Sequence, residues 1–334
     1  MMKKGNYIAL LDPALQDNNR TESKNLGDLI ISESVVEILH ELFPSKQIVR
    51  ISTHVEIEWK RRRQINDAFL SFIGGTNLIT SDMRGHWQFI VRNGKLVWLF
   101  PNIKNLILLG CGWGVGYGNP MHFKTKFFYR RILHPGFVHS LRDQYSADKL
   151  HNEAGIKTIN TSCPTIWSLP DFYDASSGFS NTCLFTLTDY NINKEADENL
   201  LNIIISRFDK IVFFPQGSGD ITYIRSLASY QKNKCKIALL PHDYQEFKNF
   251  IATNSITYIG TRLHAGIKCM EYKHKSAIIA IDNRAAEIAK DIFLPVCNRG
   301  DYSTLKDWLG GKALLNQKLR IPYREISNWK NQFL

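Results

Sequence analysis

No stretch of this chain approaches the ~20 consecutive apolar residues of a membrane-spanning helix, although 44% of its 334 residues are hydrophobic. Apolar content of that size without a span points to a buried globular core, large enough for two domains of about 150 residues each. The six cysteines, at 111, 163, 183, 235, 269 and 297, show no paired metal-ligand spacing. They read as reduced structural thiols, and no metal site is expected. Acidic residues are absent from Met83 to Arg142, where nine Lys or Arg occur, and the whole chain carries +11. Such a one-signed segment gives a surface that attracts anions. Zinc-finger, helix-turn-helix and arginine-arm patterns are missing, so nucleic acid is not expected as the partner. The basic start Met1-Met2-Lys3-Lys4-Gly5 leads into an apolar stretch too short for a signal peptide, which predicts a first buried strand and a cytoplasmic location.

What is present is alternation of short apolar runs with amphipathic stretches, the mark of βα units and parallel sheets. Strands are predicted at Tyr7–Leu11, Gln47–Ile51, Phe69–Ile73, Leu106–Leu109 and Phe137–Ser140. The 3.6-residue period predicts a helix over Leu29–Phe43, capped by Asp28 and stopped by Pro44, and Gln144–Ala154 reads as another, closed by Gly155. A second series follows, with strands at Cys183–Leu187, Ile211–Phe214, Ile237–Leu240, Thr257–Ile259 and Ala277–Ile281. Its helices fall near Glu195–Arg207, Tyr244–Asn254, Ala265–Tyr272 and Ala285–Phe293. The expected division is an N-terminal α/β domain over 1–165, a Pro/Ser/Asp/Gly-rich linker over 166–181, a C-terminal α/β domain over 182–310 and a tail over 311–334. Two such domains facing a cleft are the simplest architecture.

The turns after predicted strands carry the chemistry, because ligands of parallel sheets sit at the strands' carboxyl ends. Gly260-Thr261-Arg262-Leu263-His264 places a cation and an imidazole where a helix begins, and helix N-termini suit anions. Arginine can clamp a phosphate or carboxylate, and histidine can move a proton. Arg142 follows another strand and either projects toward a ligand or pairs with Asp143, the expected cap of the next helix. Asn25, Gly27 and Asp28 open the first helix, and Gly74-Gly75-Thr76-Asn77 repeats the same strand-end logic. In the second half, Gln216, His242, Asp243 and Arg284 stand in comparable turns and either contact substrate or cap helices. Trp113 and Tyr117, in a turn with glycine at every second position, either stack on a sugar or pack under the loop. That turn does not fit the dinucleotide fingerprint.

Taken together, Asn25-Leu26-Gly27-Asp28, Gly74-Gly75-Thr76-Asn77-Leu78, Leu141-Arg142-Asp143, Gly260–Ile267 and Asp282-Asn283-Arg284-Ala285 make the chain resemble the polysaccharide pyruvyl transferase family. The resemblance implies two Rossmann-like domains similar to the glycosyltransferase-B type. It also implies transfer of a pyruvyl group from phosphoenolpyruvate onto a sugar as a ketal, for polysaccharide or its precursor, with no cofactor beyond that donor. Its partners would be phosphoenolpyruvate and a saccharide acceptor, with peripheral contact with the membrane surface where the acceptor is lipid-linked. His264 is then the catalytic acid, and Arg142, Arg262 and Leu263 bind the donor. One departure is visible: the family's Gly-Gly-Gly turn reads Gly74-Gly75-Thr76. A nucleotide-sugar glycosyltransferase and a non-catalytic carbohydrate-binding protein, with Trp113, Tyr117 and Trp167 as platforms, are the competing readings.

Overall fold

The computed structural model describes residues 5–83, 103–169, 179–312 and 318–334. The chain divides into two compact units. The first takes residues up to Ser23, then Ile31–Trp167 and Pro322–Leu334, and the second takes Lys24–Ile30 and Ser168–Ile321. The expected linker falls mostly on 170–178, outside the described residues. Among the described residues no helix is long and apolar enough to cross a membrane.

In chain order the first unit contains β1 (Tyr7–Asp12), most of α1 (Leu26–Leu42), β2 (Gln47–Ser52), α2 (Trp59–Asp67), β3 (Leu70–Gly74) and β4 (Leu106–Leu109), then α3 (Phe123–Ile132), β5 (His139–Leu141), α4 (Gln144–Ala154) and β6 (Thr158–Asn160). The strands pair in parallel in the order β2-β1-β3-β4, with β5-β6 as a parallel pair. β5 runs beside β4, since Gly110 N–H donates to Ser140 O at 3.0 Å and Arg142 N–H to Cys111 O at 3.0 Å. The predicted strand there starts two residues too early. β1, β3 and β4 are nearly continuous buried apolar runs, as expected for strands covered on both faces.

The second unit is built from β7 (Thr182–Thr186), α5 (Lys194–Arg207), β8 (Lys210–Phe213), α6 (Asp220–Arg225), α7 (Ala228–Asn233), β9 (Ile237–Leu239), α8 (Tyr244–Thr253), β10 (Thr257–Gly260), α9 (Leu263–Glu271), β11 (Lys275–Ala280), α10 (Asn283–Ile292), β12 (Val296–Asn298) and α11 (Ser303–Leu309). Its six parallel strands lie in the order β12-β11-β10-β7-β8-β9. Counted from β7, this is the doubly wound order 3-2-1-4-5-6, whose direction reverses between β7 and β10. Helix α12 (Tyr323–Asn331) belongs to the first unit. Its Trp329 is buried there, donating Nε1–H to Val138 O at 2.9 Å, while Phe333 stacks on Phe137 with centroids 5.2 Å apart.

One core polar group sets a pH limit. His139 is buried, and burial pushes its imidazole down to about 4 from 6.5, against a smaller opposing pull from the His134 carbonyl. Nδ1 accepts the Leu108 N–H at 3.2 Å and Nε2 faces His134 O at 3.2 Å, so the neutral ring protonated on Nε2 is the form that fits. Below pH ~6.5 the unfolded chain binds a proton that the folded chain refuses. Stability present above that value should therefore fall by up to about 3 kcal/mol as the pH drops toward 4. Urea midpoints between pH 7 and 4.5 measure this, and His139→Gln is expected to flatten the slope.

Candidate active site

The motif Gly260–His264 occupies the place where the second unit's strand order reverses. β10 ends at Gly260, Arg262 is the residue that caps α9, and Leu263 and His264 begin that helix. The turn is pinned to the end of β7. Thr261 N–H donates to Thr186 O at 3.1 Å and Arg262 N–H to Thr186 Oγ1 at 3.2 Å. The Tyr258 hydroxyl, kept protonated because burial drives its pKa up, donates to Arg262 O at 2.7 Å. Leu263 and His264 are both buried.

The Arg262 guanidinium, 4% exposed, forks onto Asp220. Its Nε donates to Oδ2 at 3.1 Å and its Nη2 to Oδ1, and the same Nη2 reaches Asp189 Oδ1 at 3.1 Å. Asp220 opens α6 and also accepts N–H groups of Gly217 at 2.7 Å and Asp189 at 3.0 Å. Burial pushes the Asp220 carboxyl up, while Arg262 and these donors pull it back only in part. Nη1 of Arg262 makes no hydrogen bond among the described residues, so one edge of the fork remains to meet an anion. The Tyr190 ring lies 4.9 Å from the Arg262 Cζ and 5.6 Å from the Arg284 Cζ. Arg284 itself grips Asp282 and touches the Tyr190 hydroxyl, which joins the two arginines through one ring.

Several turns predicted independently converge here. Asn25 pairs with Gly217 in an antiparallel bridge, Leu26 N–H donates to Gln216 O at 2.9 Å, and Gln216 Nε2 donates to Asn25 Oδ1 at 3.2 Å. His242 Nε2 sits 3.2 Å from Gln216 O. Gly217 must be glycine, since a Cβ there would stand 2.2 Å from Arg262 Nη2. The side-chain oxygens Gln216 Oε1 and Thr261 Oγ1 are buried without a partner among the described residues, two polar atoms suited to a ligand.

Other expectations are redistributed. Asp28, expected to cap α1, is the third residue of that helix. Asn25 stands just before it, accepting Gly27 N–H at 3.2 Å and donating to Asp28 Oδ1 at 3.1 Å. The apolar period starts only after Asp28, which hid the first turn. Asp243 is the cap of α8, accepting Glu246 N–H at 2.8 Å. Asp220, Asp189 and Tyr190 were not predicted. The one local signal was that Gly217-Ser218-Gly219 precedes Asp220.

In the first unit, Gly74, Gly75, Thr76, Asn77 and Arg142 gather around the turn after β4. Arg142 is 2% exposed, 3.5 Å from Asp143 Oδ2, and lies against Gly112, where a Cβ would meet its Nε at 2.1 Å. Asp143 caps α4 through Ser146 N–H at 2.7 Å, as expected. The space a Cβ would take at Gly74 and Gly75 is filled by Val35 and Ile31, so these glycines admit α1. Asn77 Oδ1 is buried without a partner among the described residues. Trp113 is fully buried, which removes it as a sugar platform, whereas Tyr117 is exposed and packs on Tyr145 at 4.3 Å. Trp167 is half-buried against Trp329. Burial drives the Cys111 thiol up to about 12, so it is no nucleophile.

Thr76 takes the left-handed conformation, φ 72°, which a β-branched residue holds at a cost of about 1–2 kcal/mol. Thr76→Gly is expected to stabilise the first unit by up to about 1 kcal/mol after glycine's own chain entropy is counted. Urea unfolding checks it. Destabilisation would show that the threonine side chain makes contacts worth more than the strain.

No curated protein sequence matches the chain. Among solved structures, MnaA from S. aureus in a co-structure with UDP aligns at a TM-score of 0.51 and 11% identity, covering 99% of this chain and 97% of that one. The E. coli heptosyltransferase WaaC with ADP aligns at 0.44 and 10%, covering 92% and 100%. The first likeness speaks to the fold alone and agrees with the expected α/β class similar to the glycosyltransferase-B type. Residues 25–283 match polysaccharide pyruvyl transferase, a span that takes in the Asn25, Gly74, Arg142, Gln216 and Arg262 turns, and the chain belongs to that family of transferases.

Proposed function

We propose that the protein moves a pyruvyl group from phosphoenolpyruvate onto two hydroxyls of a saccharide acceptor, forming a cyclic ketal and releasing phosphate. The observation that carries this reading is the position of Arg262 and His264, which open α9 at the reversal point of the second unit's sheet. His264 protonates the donor's methylene carbon, which makes C2 electrophilic. One acceptor hydroxyl adds to C2 and the second displaces phosphate. The Nη1 edge of Arg262 and the first N–H groups of α9 hold the donor's anionic groups where charge develops. Arg142 is the second arginine assigned to donor anions. With Asp243 engaged as a helix cap and Asp28 bonded to Asn25, the departing phosphate is the better proton acceptor for the hydroxyls. This chemistry needs neither a metal nor a further cofactor.

Labelled phosphoenolpyruvate incubated with lipid-linked, nucleotide-linked and model glycosides, followed by mass analysis, tests the reading. A pyruvyl increment on an acceptor with release of phosphate is the expected result. The UDP bound by S. aureus MnaA motivates a second arm. Binding of nucleoside diphosphate in preference to phosphoenolpyruvate, with glycosyl rather than pyruvyl transfer, would overturn the proposal.

A further inference from the structure

A cavity of about 470 Å³ lies against the edge strand β2 of the first unit and contains none of the residues discussed above as transfer residues. Its floor is β2 from Gln47 to Arg50, and its walls carry Arg20, Arg61, Glu22 and Gln64. The three arginines are held in different ways. Arg50 is compensated, with Nε 2.5 Å from the fully buried Asp12 and Nη2 3.1 Å from Ser32 Oγ. Among the described residues Arg61 is oriented by neutral groups, donating to Gln64 Oε1 at 2.9 Å and to Asn18 O at 3.2 Å, with no carboxylate paired to its charge. Arg20 is exposed and makes no hydrogen bond or ion pair among the described residues, and its backbone sits at φ 71°.

The loop that presents Arg20 is built rather than loose. Leu15 bridges Glu22, Gln16 N–H donates to Thr21 O at 2.7 Å, and Asp17 Oδ1 accepts the N–H groups of Asn19 at 2.8 Å and Thr21 at 3.2 Å. Glu22 forms no ion pair with these arginines among the described residues, so two positive charges stay available to a ligand. The remaining lining mixes amide groups, which suit hydroxyls, with an apolar wall of Leu15, Ile48 and Val49, which suits the C–H face of a sugar ring. The volume falls within the range of small-ligand pockets, roughly 300–1,000 Å³. A strained left-handed residue that aims a charge is a recurring feature of ligand sites.

We propose that this cavity binds an anionic monosaccharide unit, a sugar phosphate or a uronate, whose charge is held by Arg20 and Arg61 and whose hydroxyls meet Gln64 and Glu22. The proposal does not depend on the transfer reaction. Calorimetric titration of the full chain at low salt, with saturating phosphoenolpyruvate present to occupy other anion contacts, tests it with glucose 1-phosphate, glucuronate, glucose and inorganic phosphate. At least one charged sugar is expected to bind about tenfold or more tighter than glucose and inorganic phosphate. Which of the two binds better tells phosphate from carboxylate. Arg20→Ala and Arg61→Gln should each weaken that binding at least about fivefold. Arg20→Ala should leave the thermal midpoint unchanged, because the side chain has no partner among the described residues to lose. Equal affinity for glucose, equal affinity for inorganic phosphate, or unchanged affinity in Arg20→Ala would overturn the assignment.

Discussion

His264→Ala is expected to lower the single-turnover rate of pyruvyl transfer by about 10²–10⁴-fold, the range that a positioned acid supplies. The methylene of an enol ether is a poor base, so its protonation should dominate the barrier. Donor affinity should change little, because the arginine fork and helix N–H groups proposed to hold the anion remain. His264→Gln should be as slow, since it keeps a hydrogen-bond donor but has no proton to release. His264 lies in the first turn of α9, and a dianion bound beside it would favour its protonated form. Donor binding near neutral pH should accordingly draw in a proton. Titration calorimetry in two buffers of different ionisation enthalpy would register the uptake, and it should vanish in both variants. A near-normal rate for His264→Gln would make this residue a positioning group and turn attention to His242.

Arg262→Ala is expected to cost about 3–5 kcal/mol of stability, because Asp220 would be left as a buried carboxylate without its counter-ion. Arg262→Lys should cost less, since a point charge meets one carboxylate oxygen where the fork meets two. Donor binding should be weakened in the lysine variant all the same. Thermal unfolding and donor Kd separate these effects. The paired change Arg262→Met and Asp220→Asn, which removes the buried charge and keeps a side-chain oxygen for the Gly217 and Asp189 N–H groups, is expected to recover part of the stability while donor binding stays lost. Retention of donor binding in that double variant would remove Arg262 from the site.

Most strands and about half of the helices of both units were legible because each is a local pattern, whereas β6, β12 and the helices α2, α3, α6, α7 and α11 were not read. β4 and α4 lie where apolar periodicity and capping residues place them. Helix α2 escaped because Trp59–Asp67 buries only Ile65, too little apolar surface to show a period. The arginine and histidine of the candidate site could be read from the turn that holds them. What surrounds them could not: Asp220 lies 42 residues before Arg262, and strand order, which puts β10 beside β7, is decided by pairing between distant segments. Trp113 illustrates the converse limit. Its glycine-rich neighbours left open whether it stacks on a sugar or packs under the loop, and the pairing of Ile79 with that turn, a contact distant in sequence, places the indole in the core.

The return of α12 to the first unit sets an order on synthesis from the ribosome. All of the second unit's segments have been synthesised by Ile321, before α12 is made. The first unit, although translated earlier, lacks Trp329 and Phe333 until later, and the hydrophobic surface around Phe43, Phe72 and Phe137 stays uncovered through that interval. The half of the molecule that is made first is therefore the half that finishes folding last, and it is the natural client for a chaperone that shields apolar surface during translation.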